Sequence, residues 1–140
     1  MAFLPKKQNF KNKFSRNLLR YTTKSKQTII NFGKQSIVAK NAAKIKAQSL
    51  DSIQRRLKYK LRKKAKIWFS IFPHISVTKK PQGHRMGKGK GRQKYWFALA
   101  KSGNSIVEVT GQNSNFIKNS LIASKNKIST KTYHLFKKAD

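Results

Sequence analysis

The sequence predicts an α+β protein: a two-layer sandwich in which a mainly antiparallel sheet carries two helices on one face, preceded by an extended basic N-terminal tail. Short runs of alternating apolar and polar residues recur between turn signals. Two longer segments place apolar residues at spacings of three and four. The first 28 residues hold basic side chains and no acid. A single domain over 29–140 follows the tail, because 140 residues with 37% apolar side chains suit one modest core.

The tail, 1–28, contains eight basic residues and scattered aromatics. Its composition is also that of a mitochondrial presequence, with Phe14, Leu18 and Tyr21 at helical spacing. We read it as a retained arm for nucleic acid, with Lys6, Lys7, Lys11, Lys13 and Arg16 as phosphate partners.

From Ile29 to Val38, "IINFGKQSIV" is rich in β-formers and interrupted by Gly33, which predicts a strand pair or a bent strand. Leu50, Ile53, Leu57 and Leu61 then form one apolar stripe of a helix over about 48–63. Arg55, Arg56, Lys58, Arg62 and Lys63 fill its other faces and read as a phosphate-facing surface rather than a merely solvated one.

"KIWFSIF" predicts a strand over 66–72, ended by Pro73, and "SVTKKP" a short edge strand over 76–81. "KYWFALAKSGNSIVEVTG" reads as a hairpin, with Tyr95, Phe97 and Leu99 on one face and the turn at Ser102-Gly103-Asn104. A second helix is expected over 114–127 with Asn113 or Ser114 as N-cap, and a last strand over 130–136. Trp68 and Trp96, on strands beside other aromatics, are expected to pack in the core.

Charge narrows the function. Thirty-four Lys and Arg stand against three Asp and Glu, a formal net charge of +31. Self-repulsion on this scale favours a polyanionic partner, nucleic acid first and an anionic membrane surface second. No stretch approaches the roughly 20 apolar residues that span a bilayer, so no membrane insertion is expected. Asp51, Glu108 and Asp140 are too few for a paired acid/base site, there is no cysteine, and His74, His84 and His134 fit no ligand spacing. We therefore expect neither an enzyme nor a metal or cofactor site.

The loop over 81–93 contains "RMGKGKG", with glycine and lysine in alternation. It lacks the spacing of a Walker loop: Arg92 follows the last glycine where a hydroxyl is needed, and the next element reads as strand. It also departs from G-x-G-x-x-G at Arg92. A flexible linker is the plain alternative, but the segment lies inside one predicted sheet. Arg85, Lys88, Lys90 and Arg92 supply cations, while Gly87, Gly89 and Gly91 let backbone approach a crowded surface, a combination suited to RNA phosphates.

"KIWFSIFP", "VTKKP", "RMGKGKG" followed by "YW", "ISTKT" near the C-terminus and the opening "LPKKQNFKNK" together resemble the L-sixteen family of large-subunit ribosomal proteins over nearly the whole chain. The resemblance implies an α+β sandwich that binds large-subunit rRNA near the base of the central protuberance. It also implies that the tail threads between rRNA helices, and that Arg85, Met86, Gly87, Lys88, Gly89, Lys90 and Gly91 face the acceptor arm of aminoacyl-site tRNA. His74 stands where relatives often carry an acid, and "GQNSNFIKNSL" lacks the acids that usually open the second helix. Their absence removes about 0.3–1 kcal/mol of dipole stabilisation per charge.

The reading is a non-catalytic structural constituent of the large ribosomal subunit, anchored by Arg55, Arg56, Lys79 and Lys80, with neighbouring large-subunit proteins as further partners and no homo-oligomer. A surplus of Lys, Asn, Ile and Phe suggests AT-rich coding DNA and a mitochondrial ribosome; a plastid or bacterial cytoplasm is the alternative. The rival function is a cationic nucleoid-compacting or membrane-surface protein.

Overall fold

A computed structural model describes residues 3–5, 30–87 and 89–137. The strands are β1 Gln35–Ala39, β2 Ala43–Lys46, β3 Ala65–Phe69, β4 Ile75–Lys79, β5 Arg92–Ala100, β6 Ser105–Gly111 and β7 Thr132–Phe136. The helices are α1 Ala47–Leu61, extended by a 3-10 turn at Arg62–Lys64, and α2 Ser114–Lys125. The strands form two antiparallel sheets, β3-β6-β1-β7 and β2-β5-β4. The α+β sandwich expected from the sequence is the architecture observed.

Helix α1 forms where expected because Leu50, Ile53, Leu57 and Leu61 recur on one face, and each is 1% exposed or less. Burying each such side chain is worth about 1.5–3 kcal/mol. The helix packs on α2 and on β2 and β5, while α2 packs on β1, β6 and β7, so both helices share one core with the two sheets. Asn113 caps α2, its side-chain oxygen accepting the Phe116 N–H at 3.0 Å. Phe3 also reaches the core, its ring 4.6 Å edge-on from that of Phe69.

Two expectations are corrected. The hairpin over 94–111 does not form: β5 pairs with β2 and β4, whereas β6 pairs with β1 and β3. The turn between them passes from one sheet to the other and is fastened to the end of β1. Gly103 N–H donates to the Ala39 carbonyl at 2.8 Å, and Ala39 N–H to that of Asn104 at 3.0 Å.

Strand β5 turns Trp96, Ala98 and Ala100 to the core, opposite Ile45 and its neighbours, which leaves Tyr95, Phe97 and Leu99 together on its other face. Lys44 and Lys46 cover Phe97 and Tyr95, with ammonium-to-centroid distances of 5.4 and 5.3 Å. Finally, Gly33 does not bend a strand. It precedes β1, and a Cβ there would meet Val109 N at 2.8 Å and the Glu108 Cβ at 2.9 Å.

That close approach serves Glu108, a fully buried carboxylate on β6. Its oxygens accept N–H bonds from Asn31 at 3.3 Å, Phe32 at 2.7 Å and Gly33 at 3.0 Å, and the Ser70 hydroxyl donates at 3.2 Å. Burial pushes the carboxyl up, but the amides of Phe32, Gly33 and Asn31 and the nearby Ser105 hydroxyl outweigh it and hold it below its ordinary value of 4.5. A lowered folded value means that the group's stabilisation is complete above its unfolded pKa and is lost as pH falls through the folded one. The thermal midpoint should therefore drop on acidification below about pH 4.5. Glu108→Gln, which sets an amide N–H against backbone donors, should cost about 1–3 kcal/mol at neutral pH and flatten that acid limb. An unaltered acid limb in the variant contradicts this account.

Candidate nucleic-acid interface

The Gly/Lys loop springs from the edge of the three-stranded sheet. β4 is an edge strand, and its last residue, Lys79, lies directly opposite Arg92, the first residue of β5. Like charges placed opposite one another across strands are destabilising. Lys79, Lys80, Arg92 and Lys94 line one open groove together with Pro81, Gln82 and Gln93. Cationic edges also discourage pairing with a second chain, but that purpose does not require four cations to converge on one concavity.

The loop itself projects into solvent, with residues 81–87 and 89–90 exposed and Met86 wholly so. Gly83, Gly87 and Gly89 have φ of 79°, 98° and 76°, and a Cβ at any of them would meet nothing within 4 Å. Glycine is therefore required there by backbone conformation and not by space. Gly91 is the reverse case: a Cβ would lie 2.6 Å from Lys79 C and Lys80 N. Lys80 also donates from Nζ to the Gly87 carbonyl, tying the loop back across its own base.

Of the residues singled out from sequence, the fold brings together Lys79, Lys80 and Arg92 and places Arg85, Met86, Gly87, Gly89 and Lys90 in the adjoining loop. Arg55 and Arg56 lie on α1, outside this groove. Arg55 is exposed, whereas the Nε of Arg56 is enclosed without a hydrogen-bond partner among the described residues. Lys6, Lys7, Lys11, Lys13, Arg16 and Lys88 lie outside the described residues.

Sequence reasoning passed over Lys94, whose two-residue offset from Arg92 on a strand was the available signal. It also passed over Lys34, Lys64 and Lys66, which join Lys63, already read as phosphate-facing, in a second basic groove with Thr110, Gly111 and Gln112. The run "RKKAK" at the end of α1 was its only trace in the chain.

Two of the three histidines are separately engaged. His74 Nδ1 lies 3.0 Å from the Phe72 carbonyl, and His134 Nε2 lies 3.0 Å from the Gln35 side-chain oxygen. Burial first, then the charges of Lys118 and Lys125, push His134 below its ordinary value of 6.5. Among the described residues no three His, Cys, Asp or Glu side chains gather where a metal could sit, and no helix is long and apolar enough to cross a membrane. Trp96 is buried in the core as expected; Trp68 is half-buried and lies outside it.

Residues 5–134 match the family described as ribosomal protein L16p/L10e. The chain belongs to this family. It is 33% identical over 107 residues to the large ribosomal subunit protein uL16 of Caulobacter vibrioides, covering 76% of this chain and 73% of that protein. With the protein of the same name from Ureaplasma urealyticum it shares 35% identity over 102 residues, 73% of this chain and 74% of the relative. The Mycoplasmoides gallisepticum protein is 41% identical over 90 residues, 64% and 65% of the two chains. As an L16-family member the chain is a structural constituent of the large ribosomal subunit and not an enzyme.

The two kinds of loop glycine separate experimentally. Gly91→Ala should lower the thermal midpoint by prising β4 from β5. Gly87→Ala or Gly89→Ala should cost only the about 1–2 kcal/mol of a left-handed conformation. Equal losses at all three positions would show that no close approach is needed at Gly91.

Proposed function

We propose that the chain binds large-subunit rRNA through the β4–β5 groove and its loop, near the base of the central protuberance, with the loop directed toward aminoacyl-site tRNA. The observation that carries this reading is the convergence of Lys79, Lys80, Arg92 and Lys94 beside an exposed, glycine-shaped loop. A phosphate seated in the groove turns the like-charged Lys79–Arg92 pair from a repulsion into a clamp. Lys6, Lys7, Lys11, Lys13 and Arg16 of the N-terminal extension, and Arg55 on α1, add phosphate contacts beyond the groove. A composition rich in Lys, Asn, Ile and Phe supports a mitochondrial ribosome; the bacterial relatives fit the bacterial alternative.

Binding of an rRNA fragment should weaken with salt by a log–log slope of about 0.7–0.9 per neutralised phosphate. The double substitution Lys79→Ala and Arg92→Ala should reduce that slope by about 1 per side chain removed. An unchanged slope removes the groove from the contact. Because Gly87 and Gly89 shape the loop without packing against the body, replacing both by alanine should leave subunit assembly intact while weakening aminoacyl-site tRNA binding to the ribosome. Wild-type tRNA affinity in those ribosomes would count against a loop that meets tRNA.

A further inference from the structure

One surface feature is explained neither by the core nor by the loop groove. Phe32 is 68% exposed, yet its backbone is anchored to the interior. Its own N–H and those of Asn31 and Gly33 all donate to the buried Glu108 carboxylate. The Phe32 ring stacks on that of Trp68, with centroids 6.2 Å apart and planes 24° from parallel. On β3 the side chains that pack on the core are Ala65, Ile67 and Phe69, so the pleat turns Lys66 and Trp68 to the other face of the four-stranded sheet. A simple hydrophobic contact accounts for Trp68, which is half covered. It does not account for a phenylalanine whose outer face is left in water by an anchored backbone.

The surroundings are cationic. Lys34 and Lys66, each two residues from one of the rings, line a single groove with Lys63 and Lys64. Arg62, which leads the chain from α1 into that groove, adopts φ 48° and ψ −129°, a sparsely populated conformation for a residue other than glycine.

We propose that Phe32 and Trp68 form a stacking platform for an unpaired RNA base, with the Lys34–Lys66 groove holding the adjoining phosphates. Every base presents a π-face, and aromatic rings interleaved with cations are the general means of holding single-stranded nucleic acid. A protein partner would have to bring its own surplus of acid to four lysines in one concavity, whereas RNA carries a phosphate at each nucleotide. The inference rests on the RNA-binding reading for its class of ligand, but it lies on the four-stranded sheet and not at the β4–β5 groove. The protein would then grip RNA at two separate places.

The test uses the full chain with an eight-nucleotide single-stranded adenylate RNA and the same octamer lacking its bases. Phe32→Ala should weaken the adenylate octamer between about fivefold and a hundredfold, the range for loss of one stacked base. Phe32→Tyr should bind as the parent does, and Phe32→Leu should be as weak as Phe32→Ala. All three should bind the abasic octamer equally and keep the parental thermal midpoint, because the side chain is mostly in solvent. Tryptophan fluorescence should be quenched by the adenylate octamer and not by the abasic one.

Parental affinity in Phe32→Leu, or an equal loss on the abasic octamer, overturns the platform. So does capture of a neighbouring ribosomal protein that needs Phe32 while adenylate binding does not. The Lys79→Ala, Arg92→Ala protein separates the two readings. If it binds normally while the Phe32 series behaves as described, the loop groove fails and the platform stands; the opposite pattern removes the platform alone.

Discussion

Like-charge repulsion is the constraint around which this protein is organised, since its 34 Lys and Arg meet only three Asp and Glu, too few for ion pairs to balance them. Cohesion therefore has to come from the interior, and it does: α1, α2 and both sheets contribute to a single cluster of buried aliphatic side chains. Eight of the cations are gathered in two places. They converge, at Lys79, Lys80, Arg92 and Lys94 in one groove and at Lys34, Lys63, Lys64 and Lys66 in another. Concentrating like charge raises the folding cost of the isolated chain and raises, by the same electrostatics, the gain when a polyanion arrives.

Glu108 shows the same logic in reverse. In a chain this basic a carboxylate could be expected to sit among lysines on the surface, yet it is enclosed and satisfied mainly by backbone amides. Its role is structural: it fixes the segment 31–33 over the outer face of the four-stranded sheet, which is where the Phe32 ring emerges. Gly33 makes the approach possible by having no Cβ to strike β6.

Much of the fold was legible in the chain. The stripe Leu50, Ile53, Leu57 and Leu61 placed α1 within a residue or two of its limits, and Asn113 marked the start of α2. The crossing between β5 and β6 was not legible, because a glycine turn between two strand-like runs reads the same whether the strands pair or diverge into different sheets. Nor was the inner face of β5. With apolar residues at 95–100 on both sides of the strand, alternation carries no information about which side is in. The site was legible to the same degree: Lys79, Lys80 and Arg92 stood out beside the glycines, Lys94 was readable only from its place two residues along β5 from Arg92, and the second groove is assembled from segments distant in sequence.

By itself the sequence determined the fold class, the positions of both helices, the polyanionic character of the partner and the ribosomal family, because these depend on composition, periodicity and local motifs. Only the tertiary structure decided which cations share a concavity, which tryptophan is core and which lies under an exposed ring, and which glycine is needed for space rather than for conformation. Those depend on long-range contacts such as Gly33 against Val109 and Gly91 against Lys79, and on the partition of seven strands between two sheets. No local pattern encodes them.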